Sequence, residues 1–514
     1  MGSPTETADE FESRRRPETK SARLRRRLRE LDLTRLGLVG FLAVPGYLVD
    51  SLAFMQVFGL FFLFFLWGFL EPLFDLALKR STDEETELTD WIHMGDRREW
   101  ATAYLMIVPT FLNPLVVIQD LLQLLGTGVT YLRHRGSVPD REYDLEASYR
   151  LPVEGTWTVV NGSLREEYSH SWIPVNQRYA YDFVITDEDG RSRPEGTTPA
   201  VEEYYCYDEP VLAPADGVVV DVFDTDLEPT RGGGFSHPLK RSIPGNYVTI
   251  QHTPDEYSCL AHLVPGSLEV EPGEEVSRGQ QVGRCGHTGN SSEPHLHFQV
   301  QDHPTFELSA GLPVRFEGVA VDEPWEGDGD ESATAADALE GAQSADDPAD
   351  EPTAITAGQR VTAVDADSDS TRDAGRSGQS PSASTADRNE VAILERLAFG
   401  LAVGGVVAFV FGLAFSPTTV AVVLVGSAIV GFAAPVVVAA GESVPRPGAP
   451  GVPLALALVG GLWLVDPQVL GSPLTLTLVG LLVYVLISAV DGVRLRRTFE
   501  MGGQAHPTSS EAGT

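Results

Sequence analysis

The run Leu52 to Leu70 reads LAFMQVFGLFFLFFLWGFL and carries no charged residue. At about 1.5 Å of rise per residue it is long enough to span the hydrocarbon core of a bilayer as a helix. Weaker apolar stretches flank it at Leu36 to Leu48, interrupted by Pro45, and at Ala101 to Ile118, interrupted by Pro109, Asn113 and Pro114. A polar loop, about Lys79 to Trp100, separates the second stretch from the third. The end of the chain repeats the pattern. Leu397 to Phe415, Thr419 to Ala440 and Leu474 to Val490 read as spans, and Val452 to Val465 is short enough to be re-entrant. Gly and Pro are frequent there, as membrane helices tolerate, and Gly400, Gly404 and Gly405 allow close helix packing. Two or three transmembrane helices are therefore expected within 36–125, and three or four within 391–492.

The segments between and beside these stretches differ in kind. Residues 1–35 form a basic tail, with Arg14, Arg15, Arg16, Lys20, Arg23 and Arg25 to Arg27 among its cations, and the positive-inside rule places it in the cytoplasm. It is not a cleavable signal, because the apolar region behind it is too long. Residues 493–514 form a polar tail. A soluble domain is expected over 143–317, of which Leu151 to Gln301 alone is enough for one compact core. Residues 318–390 are mostly Ala, Ser, Asp, Glu, Gly and Thr, too poor in large apolar side chains to offset ordering entropy, and read as an acidic disordered linker. Deleting Val321 to Glu390 is expected to leave the domain's melting temperature unchanged. Leu36 to Leu48 can pair with Leu52 to Leu70 as a tight hairpin around Asp50. That makes three early spans and puts the domain outside the cytoplasm, in an integral membrane protein bathed in lipid. Arg133-His134-Arg135 opposes this side, and two early spans would reverse it.

Charge narrows the partners. The net charge is −36, with 73 acidic against 37 basic residues, and the lysines are Lys20, Lys79 and Lys240 alone. Such an acidic chain is a poor ligand for nucleic acid. It has the composition of proteins kept soluble in concentrated salt, so a halophilic source is expected. Cys206, Cys259 and Cys285 are too few for a disulfide framework and contain no Cys-x-x-Cys; burial as thiols and one disulfide beside a free thiol both stay open. The oligomeric state is left open too.

The chemistry concentrates between Gly245 and Val300. Tyr247 to Ile250, the residues around Cys259 to Ala261, and Leu296 to Val300 have strand character, with Gly and Pro punctuating between them. Upstream, Tyr143 to Val160 reads as an edge strand and the alternation over Asn176 to Ile185 as another strand. The last run contains His295-Leu296-His297. On a strand, residues i and i+2 share a face about 7 Å apart, so the two imidazoles can converge on one site. One can hold a metal while the other handles a proton.

Asn246-Tyr247-Val248, Ala261-His262-Leu263, Gly283 to Gly289 and His295-Leu296-His297, together with Pro210 to Val219 (PVLAPADGVV), resemble in order the M23 family of zinc metallopeptidases of the lysostaphin and LytM type. The resemblance spans Leu151 to Gln301. It implies an all-β antiparallel peptidase-type domain, here flanked by α-helical transmembrane segments. It also implies a metal held by a His, an Asp and the second His of His-x-His, with water in the fourth position. Asp182 and His297 map directly onto the last two. The first ligand usually sits four residues before the Asp, where this chain has Arg178, which cannot bind a cation. His170, in Ser169-His170-Ser171-Trp172, is taken as its replacement. His170, Asp182 and His297 suit Zn2+ with an open position. His262 and His295 are then the non-ligand histidines, expected to move protons or steady the oxyanion. His237, His252 and His287 read as structural or exposed.

The resemblance implies a membrane-anchored zinc endopeptidase that hydrolyses peptide bonds with metal-activated water, on a peptide or surface-protein substrate. The alternative is a catalytically inactive module of this type that binds and regulates a partner. Arg178 favours the alternative; the retention of Asp182, His262, His295 and His297 opposes it. Pro272 to Gly283 also resembles biotinyl or lipoyl carrier domains, but these need a hairpin lysine, and none of the three lysines is so placed.

Overall fold

The computed structural model describes residues 33–66, 97–322, 352–364, 385–439, 450–469 and 471–504. The chain divides into two compact units, Met1–Thr86 and Glu87–Thr514. In the first, the 3-10 helix Leu33–Ala43 and the short α-helix Val44–Leu48 turn back into the 3-10 helix Asp50–Leu66. Gln56 Nε2 donates to the Gly46 carbonyl at 2.9 Å, and Phe41 meets Phe62 edge to face with centroids 5.1 Å apart. This is the expected hairpin around Asp50. The basic tail as far as residue 32, the end of the expected span at 67–70 and the tail from 505 lie outside the described residues.

The second unit is built on an antiparallel sheet. Its strands are β1 (Thr156–Asn161), β2 (Tyr181–Val184), β3 (Pro210–Leu212), β4 (Gly217–Phe223), β5 (Tyr247–Thr253) and β6 (Glu256–Ala261). β7 (Glu275–Val276), β8 (Gln281–Arg284), β9 (Leu296–Gln301), β10 (Gly311–Leu312), β11 (Val319–Asp322) and β12 (Arg360–Ala363) follow. The main sheet runs β11-β12-β1-β2-β9-β6-β5-β4-β7, with β10 on β9, while β3 and β8 pair separately. Tyr181, Phe183, Phe298 and Phe316 form its aromatic core, with Tyr181 and Phe298 at 5.7 and 5.8 Å from Phe316.

Three expectations need correction. The acidic segment is not all linker: Thr353 hydrogen-bonds both ways with Phe316, β12 inserts between β11 and β1, and Ile355 and Val361 are buried at 1% and 0% exposure. The apolar periodicity of Ile355, Ala357 and Val361 is diluted in an acidic composition that decided the reading. The domain therefore extends to residue 364, and β1, flanked by β12 and β2, is not an edge strand. Residues 323–351 and 365–384 lie outside the described residues.

The third correction concerns the apolar stretch 101–118. It is not one helix. α1 (Arg97–Leu112) stops and α2 (Pro114–Arg133) starts anew. Asn113, before a proline, is extended, and its side chain accepts from Leu115 N–H at 3.0 Å as the cap of α2. α2 then turns Val116, Gln119, Gln123, Gly126 and Thr130 inward at helical spacing. This stripe docks on the sheet domain. Gln119 Oε1 accepts from Ile243 N–H at 2.8 Å, Gln123 pairs with Gln177 at 2.9 Å, and a Cβ on Gly126 would meet the Glu307 carbonyl.

The remaining helices are α3 (Thr385–Gly412), α4 (Pro417–Ala439), α5 (Gly451–Val465) and α6 (Pro473–Gln504). Gly400 and Gly404 of α3 face Ala455 and Val459 of α5, and Gly405 faces the first turn of α6. The polar ends of α3 and α6 abut the sheet domain: Arg396 stacks on Phe223 at 5.0 Å, and Arg496 pairs with Asp255 at 2.8 Å. Among the described residues, Pro114–Arg133, Glu390–Gly412 and Pro473–Met501 are long and apolar enough to cross a membrane. Asp50–Phe64, which overlaps the span expected at Leu52 to Leu70, and Pro417–Ala433 and Gly451–Val465 are apolar but shorter.

Candidate metal centre

Strand register brings the site together. β2 and β9 pair so that Asp182 stands opposite His297, and β9 and β6 pair so that His297 stands opposite Ala261. His262 follows Ala261 with φ of 63°, a left-handed conformation unusual for a non-glycine residue, which turns its ring back over the sheet. His262 and His295 lie 4.7 Å apart by ring centroid, and His262 and His297 5.7 Å. His170 arrives from the loop after β1. Its N–H donates to Asn161 Oδ1 at 3.0 Å, and Asn161 is itself paired with Asp182 across β1 and β2.

Asp182 is the hub. Its Oδ1 accepts from His297 Nδ1 at 2.8 Å and lies 3.7 Å from His295 Nε2; its Oδ2 lies 3.7 Å from His170 Nε2. Burial pushes this carboxyl up, but the imidazoles of His295, His297 and His170 outweigh burial and hold it well below the usual carboxylate range. Burial pulls His297 down, and the bond to Asp182 more than reverses this, leaving it raised. Burial lowers both His262 and His295, so each is neutral near pH 7.

Backbone carbonyls orient the two neutral rings. His262 Nδ1 sits 2.8 Å from the Thr288 carbonyl, and His295 Nδ1 2.8 Å from the Glu293 carbonyl. A carbonyl only accepts, so each Nδ1 carries the proton and each Nε2 offers a lone pair. His297 has different support. Its Nε2 lies 3.1 Å from Gln299 Oε1, Gln299 Nε2 donates to Gln301 Oε1 at 2.5 Å, and Gln301 Nε2 donates to the His303 carbonyl at 2.8 Å. All three side chains are buried. Sequence reasoning missed this ladder, although the period-2 polar series His295, His297, Gln299, Gln301 in a strand otherwise apolar carries its signal.

One cleft of about 340 Å³ is lined by all five expected site residues, His170, Asp182, His262, His295 and His297. Arg178 is turned away and stacks on Trp172 at 5.2 Å. His252 and His287 are buried and hydrogen-bonded elsewhere, His252 to the Asp216 carbonyl and Ser258, His287 to Ser291 and the Phe235 carbonyl. The three cysteines are buried free thiols.

The donor set suits a zinc ion in chemistry: a carboxylate with both oxygens facing imidazole nitrogens, in one cleft. Among the described residues no three His, Cys, Asp or Glu side chains stand close enough together to hold a metal ion as they are placed. The bond between His297 and Asp182 takes up donor capacity that a cation would use instead.

Residues 201–307 match the family model "Peptidase family M23". His262, His295 and His297 fall inside this segment; His170 and Asp182 precede it. The chain is 31% identical over 192 residues to peptidoglycan DD-endopeptidase ShyA of Vibrio cholerae, across 36% of this chain and 35% of that protein. It is 32% identical over 101 residues to cell division protein DipM of Caulobacter vibrioides, across 20% of this chain and 14% of that one. The chain thus spans about a third or less of the length of these curated relatives. Among solved structures it is similar to a zinc-containing peptidase from Vibrio cholerae, at 24% identity over 33% of this chain and 41% of that one, with a TM-score of 0.21. The catalytic domain of lysostaphin from Staphylococcus simulans is 21% identical over 26% of this chain and 74% of that one, with a TM-score of 0.17. The sheet domain is an M23 metallopeptidase domain.

Proposed function

We propose that the chain is a membrane-anchored zinc endopeptidase. The observation that carries this reading is Asp182, with imidazole nitrogens of His170, His295 and His297 within 3.7 Å, inside one cleft that His262 also lines. His170, Asp182 and His297 are the residues we assign to the metal. Zinc held there supplies Lewis acidity toward a peptide carbonyl and an acidified water at neutral pH. The chain's own groups do the rest. The Nε2 lone pairs of His262 and His295 accept a proton from the attacking water and return it to the leaving amine. Once protonated, the same rings steady the oxyanion. Gln299 holds the ring of His297, and Asn161 holds the loop that carries His170.

The position of Arg178 had favoured an inactive binding module. His170 near Asp182 supplies the donor that Arg178 cannot, so the enzymatic reading stands ahead. The relatives named for peptidoglycan support a peptide or cell-surface substrate, and the apolar helices support anchoring in a lipid membrane. We place the peptidase domain on the extracytoplasmic side; Arg133, Arg494 and Arg497 near the domain oppose that side by charge. Protease added to intact cells tests it: cleavage within 323–351 supports the outer side, and cleavage only after lysis reverses it. For the activity, the full chain in detergent should bind one zinc and hydrolyse peptides. Chelation should abolish hydrolysis. Stoichiometric zinc without hydrolysis of any peptide would return the binding module.

A further inference from the structure

The cleft is walled on one side by a helix that turns exposed apolar side chains away from it, among the described residues. Met106 and Thr110 of α1 line the cleft. They lie one turn apart, and Asn113, another turn on, binds the Lys240 carbonyl at 2.7 Å. Leu105, Val108 and Leu112 follow a separate stripe at i, i+3 and i+7 and are 65%, 60% and 74% exposed. The same short helix therefore faces the catalytic histidines on one side and presents a continuous apolar ridge on another.

This wall is built in. Lys240 is fully buried, and its Nζ donates to Thr110 Oγ1 at 3.0 Å, Ser236 Oγ at 3.0 Å and Asn290 Oδ1 at 2.8 Å. Thr110, Ser236 and Asn290 all line the cleft, so one buried ammonium ties α1 to two of its loops. The rim of the cleft carries exposed apolar side chains of its own. Ile173, which lines the cleft, is 70% exposed, and Leu239, beside Lys240, is 68% exposed. Beyond Asn113 the chain enters α2, whose Ile118 and Leu122 join the apolar cluster formed with Phe399 and Ala402 of α3. α1 is thus joined through the single residue Asn113 to a helix that is itself long enough to cross a bilayer.

We infer that the mouth of the cleft lies at the bilayer surface, with Leu105, Val108, Leu112, Ile173 and Leu239 in the acyl–headgroup boundary, and that the substrate is the membrane-proximal segment of a membrane-anchored polypeptide. The inference rests on the proposed peptidase and names its substrate class. A soluble polymer would have to reach the histidines past a rim that is covered by lipid. A chain leaving the same bilayer enters from the lipid side, at high effective concentration.

Two measurements on the full chain, reconstituted in vesicles of phosphatidylcholine and phosphatidylglycerol, test this. The first reads position alone. Ile173→Cys, Leu239→Cys and, at the opposite end of β1 from Asn161, Glu154→Cys are labelled with an environment-sensitive fluorophore; the native thiols are buried. Labels at 173 and 239 should be quenched by doxyl-labelled phosphatidylcholine and shielded from aqueous iodide, with the reverse at 154. Iodide quenching of all three overturns the bilayer placement. The second reads substrate. A random decapeptide mixture carrying a palmitoyl anchor is compared with the same mixture unanchored, by mass spectrometry of the products. Anchoring should speed cleavage on the order of tenfold or more. Equal or faster cleavage of the free mixture overturns the substrate class. If neither mixture is cut while the lipid quenching holds, the peptidase reading fails and the placement stands.

Discussion

Asp182 and His297 face each other across β2 and β9, and His297 Nδ1 donates to Asp182 Oδ1 at 2.8 Å. This bond aligns the two residues proposed as zinc ligands, and a zinc ion held by both would displace the proton between them. Zinc uptake should therefore release protons.

His170 is the test of the ligand assignment. Its side chain is half exposed and 3.7 Å from Asp182, so His170→Ala should change stability by less than about 0.5 kcal/mol. Zinc content should fall from one per chain to substoichiometric after dialysis. Arg178→Ala should not change zinc content, because Arg178 stacks on Trp172. Retained zinc in His170→Ala would move the third ligand to His295, whose Nε2 is equally close to Asp182.

Gln299 fixes the ring of His297 from behind. Gln299→Leu removes that acceptor and leaves Gln301 without its donor. Zinc affinity should drop about 10- to 100-fold, as for other partners of a ligating histidine. Competition against a chromophoric chelator measures it. Gln299→Glu, which keeps an acceptor, should retain most of the affinity, and an equal loss in both variants would reduce the ladder to packing.

Acid should unfold the domain through histidines outside the site. His252 is buried between the Asp216 carbonyl and Ser258, and burial lowers its pKa to about 4. The unfolded chain titrates near 6.5, so between pH 6.5 and 4 it binds a proton that the folded chain does not. Stability is fully present above 6.5 and falls as pH drops toward 4, by about 3 kcal/mol for this residue. His287, also lowered to about 4 by burial, acts in the same direction. Urea midpoints from pH 7 to 4 read the slope. His252→Gln should flatten it, and an unchanged slope would assign the acid sensitivity elsewhere.

The segment 352–364 should behave as part of the core. Ile355→Ala leaves a cavity in a fully buried position and should cost about 2–5 kcal/mol. Deleting 323–351 while joining its ends through a flexible linker should cost far less. Differential scanning calorimetry of the two variants separates them; equal losses would mean that the segments pack together.

What the sequence made legible, and what it hid, divides along one physical line. Local signals held. The i, i+2 spacing of His295 and His297, the Gly-rich turns and the hairpin around Asp50 depend on neighbours in the chain, and their residues lie where the spacing puts them. Long-range pairing did not show. β12 follows β11 only after residues 323–359, and its apolar positions are too sparse to stand out against the acids around them. The polar stripe on α2, Gln119, Gln123 and Thr130, reads as a weak span until the carbonyls and amides it meets on the sheet domain are known. His170 could be nominated but not placed, because Asn161 positions it through a side chain nine residues away.

His262 and His295 carry the last prediction. Both are held by carbonyls at Nδ1 and both are neutral near pH 7, with Nε2 of His295 3.7 Å from Asp182 Oδ1. Neither is assigned to the metal. His262→Ala and His295→Ala should then keep one zinc per chain and lose turnover by about 10²- to 10⁴-fold. The two should differ in stability. His262 sits at φ 63°, so the loss of its Thr288 bond leaves an unfavourable backbone with less to hold it, and His262→Gly should be more stable than His262→Ala. His295 has no such strain. Zinc analysis, peptide hydrolysis and urea midpoints on the three variants give the outcome. Loss of zinc in either alanine variant would exchange a ligand for a catalyst, and full turnover in both would leave the cleft without a proton carrier and the peptidase reading without a mechanism.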